Sequence, residues 1–189
     1  MKIDRSTLPS WQQDARSPVD YHYCEATRGR EFIFRLNTGG DPVLAIEEFA
    51  RDKGIRFAKV HATFMGGFQP CKYLVWIPDY KDPENWHLEG EAVNTNLSMV
   101  TSIGGVIHPR PDGKGGWEPC AAIHFVAGGG WDCPVLTGHL QPGTRVKGCF
   151  QVFITEMDDI DVLLPVDEYD VNDDRPENFY QSTNGREGR

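Results

Sequence analysis

Nowhere in the 189 residues do about 18 apolar side chains run together, so no transmembrane helix is expected. The opening stretch, MKIDRSTLPSWQQDARS, holds no apolar run either, which argues against a secretory leader and for a cytoplasmic protein. The chain has no Cys-x-x-Cys pair. Its five cysteines, Cys24, Cys71, Cys120, Cys133 and Cys149, are odd in number and widely spaced. That spacing does not support a zinc finger, and free thiols are the expectation in a reducing compartment. A basic excess is missing as well. The net charge is −9, and residues 158–189 hold ten acids against three arginines, a net −7 of that total. A near-neutral body with an acidic tail is a poor match to a phosphate backbone, which disfavours autonomous DNA binding.

Two motifs are present only in fragments. Arg28-Gly29-Arg30 has the core of an AT-hook, but Glu31 stands where the hook needs proline. Gly128-Gly129-Gly130 is followed by no Lys or Ser/Thr signature, so it fits neither the Walker pattern nor the dinucleotide fingerprint and reads as a turn.

What is present suits one globular domain. Apolar residues make up 39% of the chain and aromatics 11%, enough for a core. Residues 1–28 are polar, with Pro9 and Pro18, and read as an N-terminal arm. REFIFRL (30–36) has the branched and aromatic content of a strand. The next segment predicts a helix over about 42–53. Asp41 can cap it, Pro42 suits its first position, and Gly54 suits its end. Val43, Ile46, Phe49 and Ala50 share one face of that helix. Its Arg51 and Lys53 are offset by Glu47, Glu48 and Asp52, so it makes a poor recognition helix.

Further on, residues 57–67 alternate. Ala58, Val60, Ala62 and Phe64 point one way, and Lys59, His61 and Thr63 the other. Strands are expected at 72–78, twice within 88–107 around an Asn-rich bend, at 120–127 and at 145–157. Residues 79–86 read as a polar loop, and the Pro- and Gly-rich 108–119 as another. The pairs Gly66-Gly67 and Gly104-Gly105 read as bends or bulges. One helix among many strands makes the fold class α+β, a single domain over residues 29–157. Residues 158–189 form the acidic tail.

The order of these elements resembles the PPC domain, for plant and prokaryote conserved, also called PCC. The resemblance rests on GGDPVLAIEEFARDKGI, on MGGF and EGEAV, and above all on AAIHFV followed by TGHL. It implies a homotrimer built from a curved, mostly antiparallel sheet with one main helix. In plants the domain accompanies AT-hooks, and free-standing bacterial members carry a provisional DNA-binding label. The fold is also similar to acetolactate decarboxylase and to a zinc ester hydrolase, both of which hold a metal with histidines. The family pattern, His-x-His and then Gly-Gly-His-Leu, maps here onto His124 and onto Gly138-His139-Leu140. Ala122 replaces its first histidine and Thr137 its first glycine.

His124 and His139 are therefore the candidate metal ligands. On its strand His124 shares a face with Ala122 and Val126. A strand histidine is as readily a hydrogen-bonded structural residue as a ligand. A catalytic zinc takes three protein donors and a water, so two imidazoles need help. Cys133 is the foremost third donor, because thiolate binds zinc strongly; His61, His108, Asp132, Glu91 or a neighbouring subunit are the others. Glu91 is also the candidate general base of a metal-dependent hydrolase or lyase. Trp131 and Gly138 would line a small-molecule pocket if no metal is held.

Overall fold

The computed structural model describes residues 23–78, 80–81, 86–88, 92–94, 98–128, 135–162, 180–182 and 187–188. Its strands are β1 (Tyr23–Cys24), β2 (Arg28–Leu36), β3 (Ala58–Phe68), β4 (Cys71–Leu74), β5 (Trp76–Pro78), β6 (Trp86–Leu88) and β7 (Ala92–Asn94). After these come β8 (Ser98–Pro111), β9 (Trp117–Gly128), β10 (Leu136–Leu140), β11 (Val146–Met157), β12 (Ile160–Val162), β13 (Tyr180–Ser182) and β14 (Glu187–Gly188). The helix α1 (Pro42–Lys53) stands between β2 and β3. The principal sheet is open and has eight strands in the order β2-β11-β3-β8-β9-β10-β4-β7. Each neighbouring pair is antiparallel. No helix among the described residues is long and apolar enough to cross a membrane.

The helix forms where its end signals place it. Asp41 accepts hydrogen bonds from the N–H groups of Val43 and Leu44, and Gly54 closes the helix in the left-handed conformation at φ 66°. Val43, Ile46 and Ala50 are buried against the sheet. Phe49 meets Phe32 edge-on at 5.3 Å and stacks on Phe34 at 4.9 Å. Full burial of a side chain such as Ile46 stabilises by about 1.5–3 kcal/mol. Asp41 also ties the cap to the turn before β11, since the Gly143 N–H donates to its second carboxylate oxygen at 2.6 Å.

Only one face of the sheet is covered by this helix. Ala58, Val60 and Ala62 on β3, Ile123, Phe125 and Ala127 on β9, and Phe150, Val152 and Ile154 on β11 point into the core. The intervening residues Lys59, His61, His124, Val126 and Gln151 are exposed on the opposite face. Burying one face of each strand fixes its register, because a one-residue slip would exchange the two faces.

Three local expectations are corrected. The stretch 108–119 is not a loop: residues 108–111 pair with 117–120, and only 112–116 turn. Pro109 faces Pro119, and neither can donate. That rung exchanges no hydrogen bond, so the prolines fit the alternation of an antiparallel ladder. The run 72–78 is broken at Val75 into β4, in the main sheet, and β5, which pairs with β6. Gly104 and Gly105 are not at a bulge. They pair regularly with His124 and Ile123, whereas the β3–β8 irregularity lies between Ala62 and Gly67.

Candidate functional site

His124 lies near the middle of β9 and His139 in β10, and the two face each other directly in the antiparallel register. Their rings meet edge to face, with centroids 5.0 Å apart and planes at 85°. The same parity that sends Ile123 and Phe125 into the core sends these imidazoles to the open face. His124 is exposed and His139 half-buried. Burial, then the charges of His124 and His108, push the His139 pKa down to about 4. His124 keeps more solvent contact, and partial desolvation of its ring also lowers its pKa from the ordinary imidazole value. Both rings are therefore neutral at pH 7, the state in which an imidazole nitrogen can bind a metal ion.

The histidine pair belongs to a longer rung. Across the sheet, Ile33 faces Phe153, Phe153 faces His61, and His61 faces Gly104. Gly104 faces His124, His124 faces His139, and His139 faces Leu74. Sequence reasoning treated His61 as one of several remote candidates. Its alternation with Ala62 showed a polar face, but only the strand order β3-β8-β9-β10 puts it on the rung of the histidine pair.

His108 is different. It is only 4% exposed, and its Nδ1 lies 3.3 Å from the Pro109 carbonyl. A carbonyl can only accept, so Nδ1 carries the proton. Burial lowers the ring's pKa, which leaves Nε2 with a bare lone pair that has no hydrogen-bond partner among the described residues. His108 faces Cys120 across the ladder, and burial raises the Cys120 pKa, keeping it a thiol.

The remaining sequence candidates divide in two. Gly138 pairs with Phe125 on the core side of β10. A Cβ there would come within 2.7 Å of the Leu74 carbonyl oxygen and 2.8 Å of the Tyr73 ring, so packing alone requires a glycine. Ala122 lies one step from His124 on the same face, opposite Val106. Glu91, Trp131, Asp132 and Cys133 lie outside the described residues. Among the described residues no group of three or more His, Cys, Asp or Glu side chains is placed to hold one metal ion.

An open cleft of about 490 Å³ lies elsewhere, between the end of α1 and the β8–β9 turn, and includes Arg51, Lys114 and Trp117 in its wall. Several of its groups are already engaged. Glu118 accepts from Arg110 at 2.7 Å, Asp112 accepts from the Lys114 and Gly116 N–H groups, and the Arg56 guanidinium covers the Trp117 ring at 5.2 Å. The histidine pair is the stronger candidate, because its two imidazoles meet edge to face on the sheet face that the helix leaves uncovered.

Residues 23–158 match the family model of the Plants and Prokaryotes Conserved (PCC) domain. The chain belongs to this family. Among solved structures, the PCC domain here is similar to a metal-containing protein from Archaeoglobus fulgidus, at 24% identity and a TM-score of 0.53, covering 71% of this chain and 84% of that one. It is similar also to a plant- and prokaryote-conserved protein from Pyrococcus horikoshii, at 20% identity and 0.53, covering 71% and 82%. A third, provisionally named as DNA-binding, comes from Ralstonia eutropha, at 17% identity and 0.52, covering 71% and 84%. At these identities the likeness speaks for the fold. No curated protein matches the chain.

Proposed function

We propose that this PCC-domain protein is a cytoplasmic homotrimer that holds a divalent metal ion, zinc foremost, or a small ligand at His124 and His139. The observation that carries the reading is the direct pairing of two neutral imidazoles, 5.0 Å apart, on the uncovered face of the sheet. They fit two corners of a tetrahedral zinc site. Cys133 would supply the third donor, six residues before His139 in the connection between β9 and β10. When bound, such an ion would act as a Lewis acid toward water or a carbonyl. In a hydrolase or lyase of this kind Glu91 would take up the proton, Trp131 would close an apolar wall, and Gly138 would let β10 pack tightly behind His139. The metal-containing description of the Archaeoglobus fulgidus protein is consistent with this reading.

The test is the zinc content of the full chain purified without chelator, beside His124→Ala and His139→Ala. About one zinc per chain, lost in both variants, supports the reading. A zinc-free protein that no metabolite stabilises against heat overturns it. The rival, a DNA-binding module, draws on the name of the Ralstonia eutropha protein. The net charge of −9 opposes it.

A further inference from the structure

Gly104 sits between His61 and His124 on the rung, and nothing among the described residues requires a glycine there. Its φ is not in the left-handed region, and its pairing is regular. A Cβ built at 104 would meet, among the described residues, only the Val60 carbonyl oxygen, at 3.9 Å. Its neighbour Gly105 is the contrast, since a Cβ there would run into the Ala122 carbonyl. The missing side chain at 104 leaves a shallow floor. His61 and His124 flank it two strand spacings apart, about 10 Å between backbones. His61 is exposed and its ring lies 6.5 Å from Phe153.

The charge around this floor is one-sided. The chain carries 28 acids, yet none is among the described outward residues of β3, β8, β9 and β10 on the rungs either side of it, and Glu31, on the Lys59 rung but three strands away on β2, is engaged by Arg28 and Thr155. Those residues are Lys59, Ser102, Val106, Ala122, Val126 and Thr137. The floor is thus bordered by imidazoles, hydroxyls and a lysine. His61 stands two strands from His124, whereas His139 faces His124 directly, which sets His61 apart from the metal ligands proposed above.

We infer that His61, Gly104 and the His124–His139 pair form one seat for a small oxyanion, a carboxylate or phosphate group, which lies over Gly104 and accepts hydrogen bonds from imidazoles on both sides. This rests on reading His124 and His139 as a binding pair, but not on a metal. Neutral imidazole has one N–H to donate, and the floor is wide enough for a planar group that a side chain at 104 would displace.

The experiment follows the histidine ring nitrogens of the full chain by NMR. Sodium malonate and, separately, inorganic phosphate are added at constant ionic strength, with a chelator present and again with zinc. The His61 and His124 signals are expected to shift along one common saturation curve. Gly104→Leu should weaken that binding at least tenfold, and His61→Gln about tenfold, with the melting temperature held. Gly104→Ala should fold normally. The inference is overturned if His61 stays still while His124 and His139 respond, or if Gly104→Leu binds malonate as the unaltered chain does. It is also overturned if Gly104→Leu breaks the assembly while binding persists, since a neighbouring subunit would then explain the glycine. Should Gly104→Leu fail to fold, His61→Gln decides alone. Zinc uptake with a silent His61 sinks the seat and leaves the metal reading. Malonate binding without zinc uptake does the reverse.

Discussion

At the scale of the residue, the two imidazoles carry a signature in pH. Burial keeps His139 at about 4 and lowers His124 as well, while the unfolded chain titrates near the ordinary imidazole value. The unfolded state therefore binds more protons than the folded one between pH about 6.5 and 4. The stability this represents is fully present above the upper limit and is lost as pH falls through the window. In metal-free protein the melting temperature should fall over that range, and His139→Gln should flatten the slope. An unchanged slope would show that His139 is not held neutral by burial. Added zinc should steepen the dependence, because the ion competes with protons for the same nitrogens.

At the scale of the element, the helix cap and the β8–β9 ladder give separate predictions. Asp41→Ala removes acceptors for Val43, Leu44 and Gly143, and should cost about 1–3 kcal/mol in urea denaturation. Gly105→Ala should destabilise by about 2 kcal/mol or more, because its Cβ meets backbone that cannot move aside, while Gly104→Ala should stay within about 0.5 kcal/mol. A reversed order of the two glycine variants would contradict the packing described. The helix was legible because its signals are local: Asp41, Pro42 and Gly54 act within one turn of its ends. The strand at 58–62 was legible from its alternation. Residues 108–119 were not, because composition cannot show that Pro109 and Pro119 would meet on a rung that needs neither N–H. The floor at Gly104 was hidden for the same reason. His61, Gly104 and His124 are far apart in the chain, and only strand pairing makes them neighbours.

At the scale of the whole molecule, charge bears on the DNA-binding reading. With −7 of the −9 in residues 158–189, the protein should show no salt-sensitive association with duplex DNA in a gel shift at low salt. A retarded band whose affinity falls steeply with salt would revive the DNA-binding reading. Family membership and fold followed from the order of elements, and residues 23–158 match the family model. Of the candidate site, the sequence pointed to His124 and His139, which the strand register pairs. Their partners depend on residues from other strands.

The most direct measurement is an anomalous difference map, collected at the zinc edge, from crystals of the full chain grown with zinc. The account predicts a peak about 2.0–2.1 Å from one nitrogen of each of His124 and His139, on the sheet face that α1 leaves open. A map with no peak between these rings, or with zinc bound only elsewhere, would contradict it.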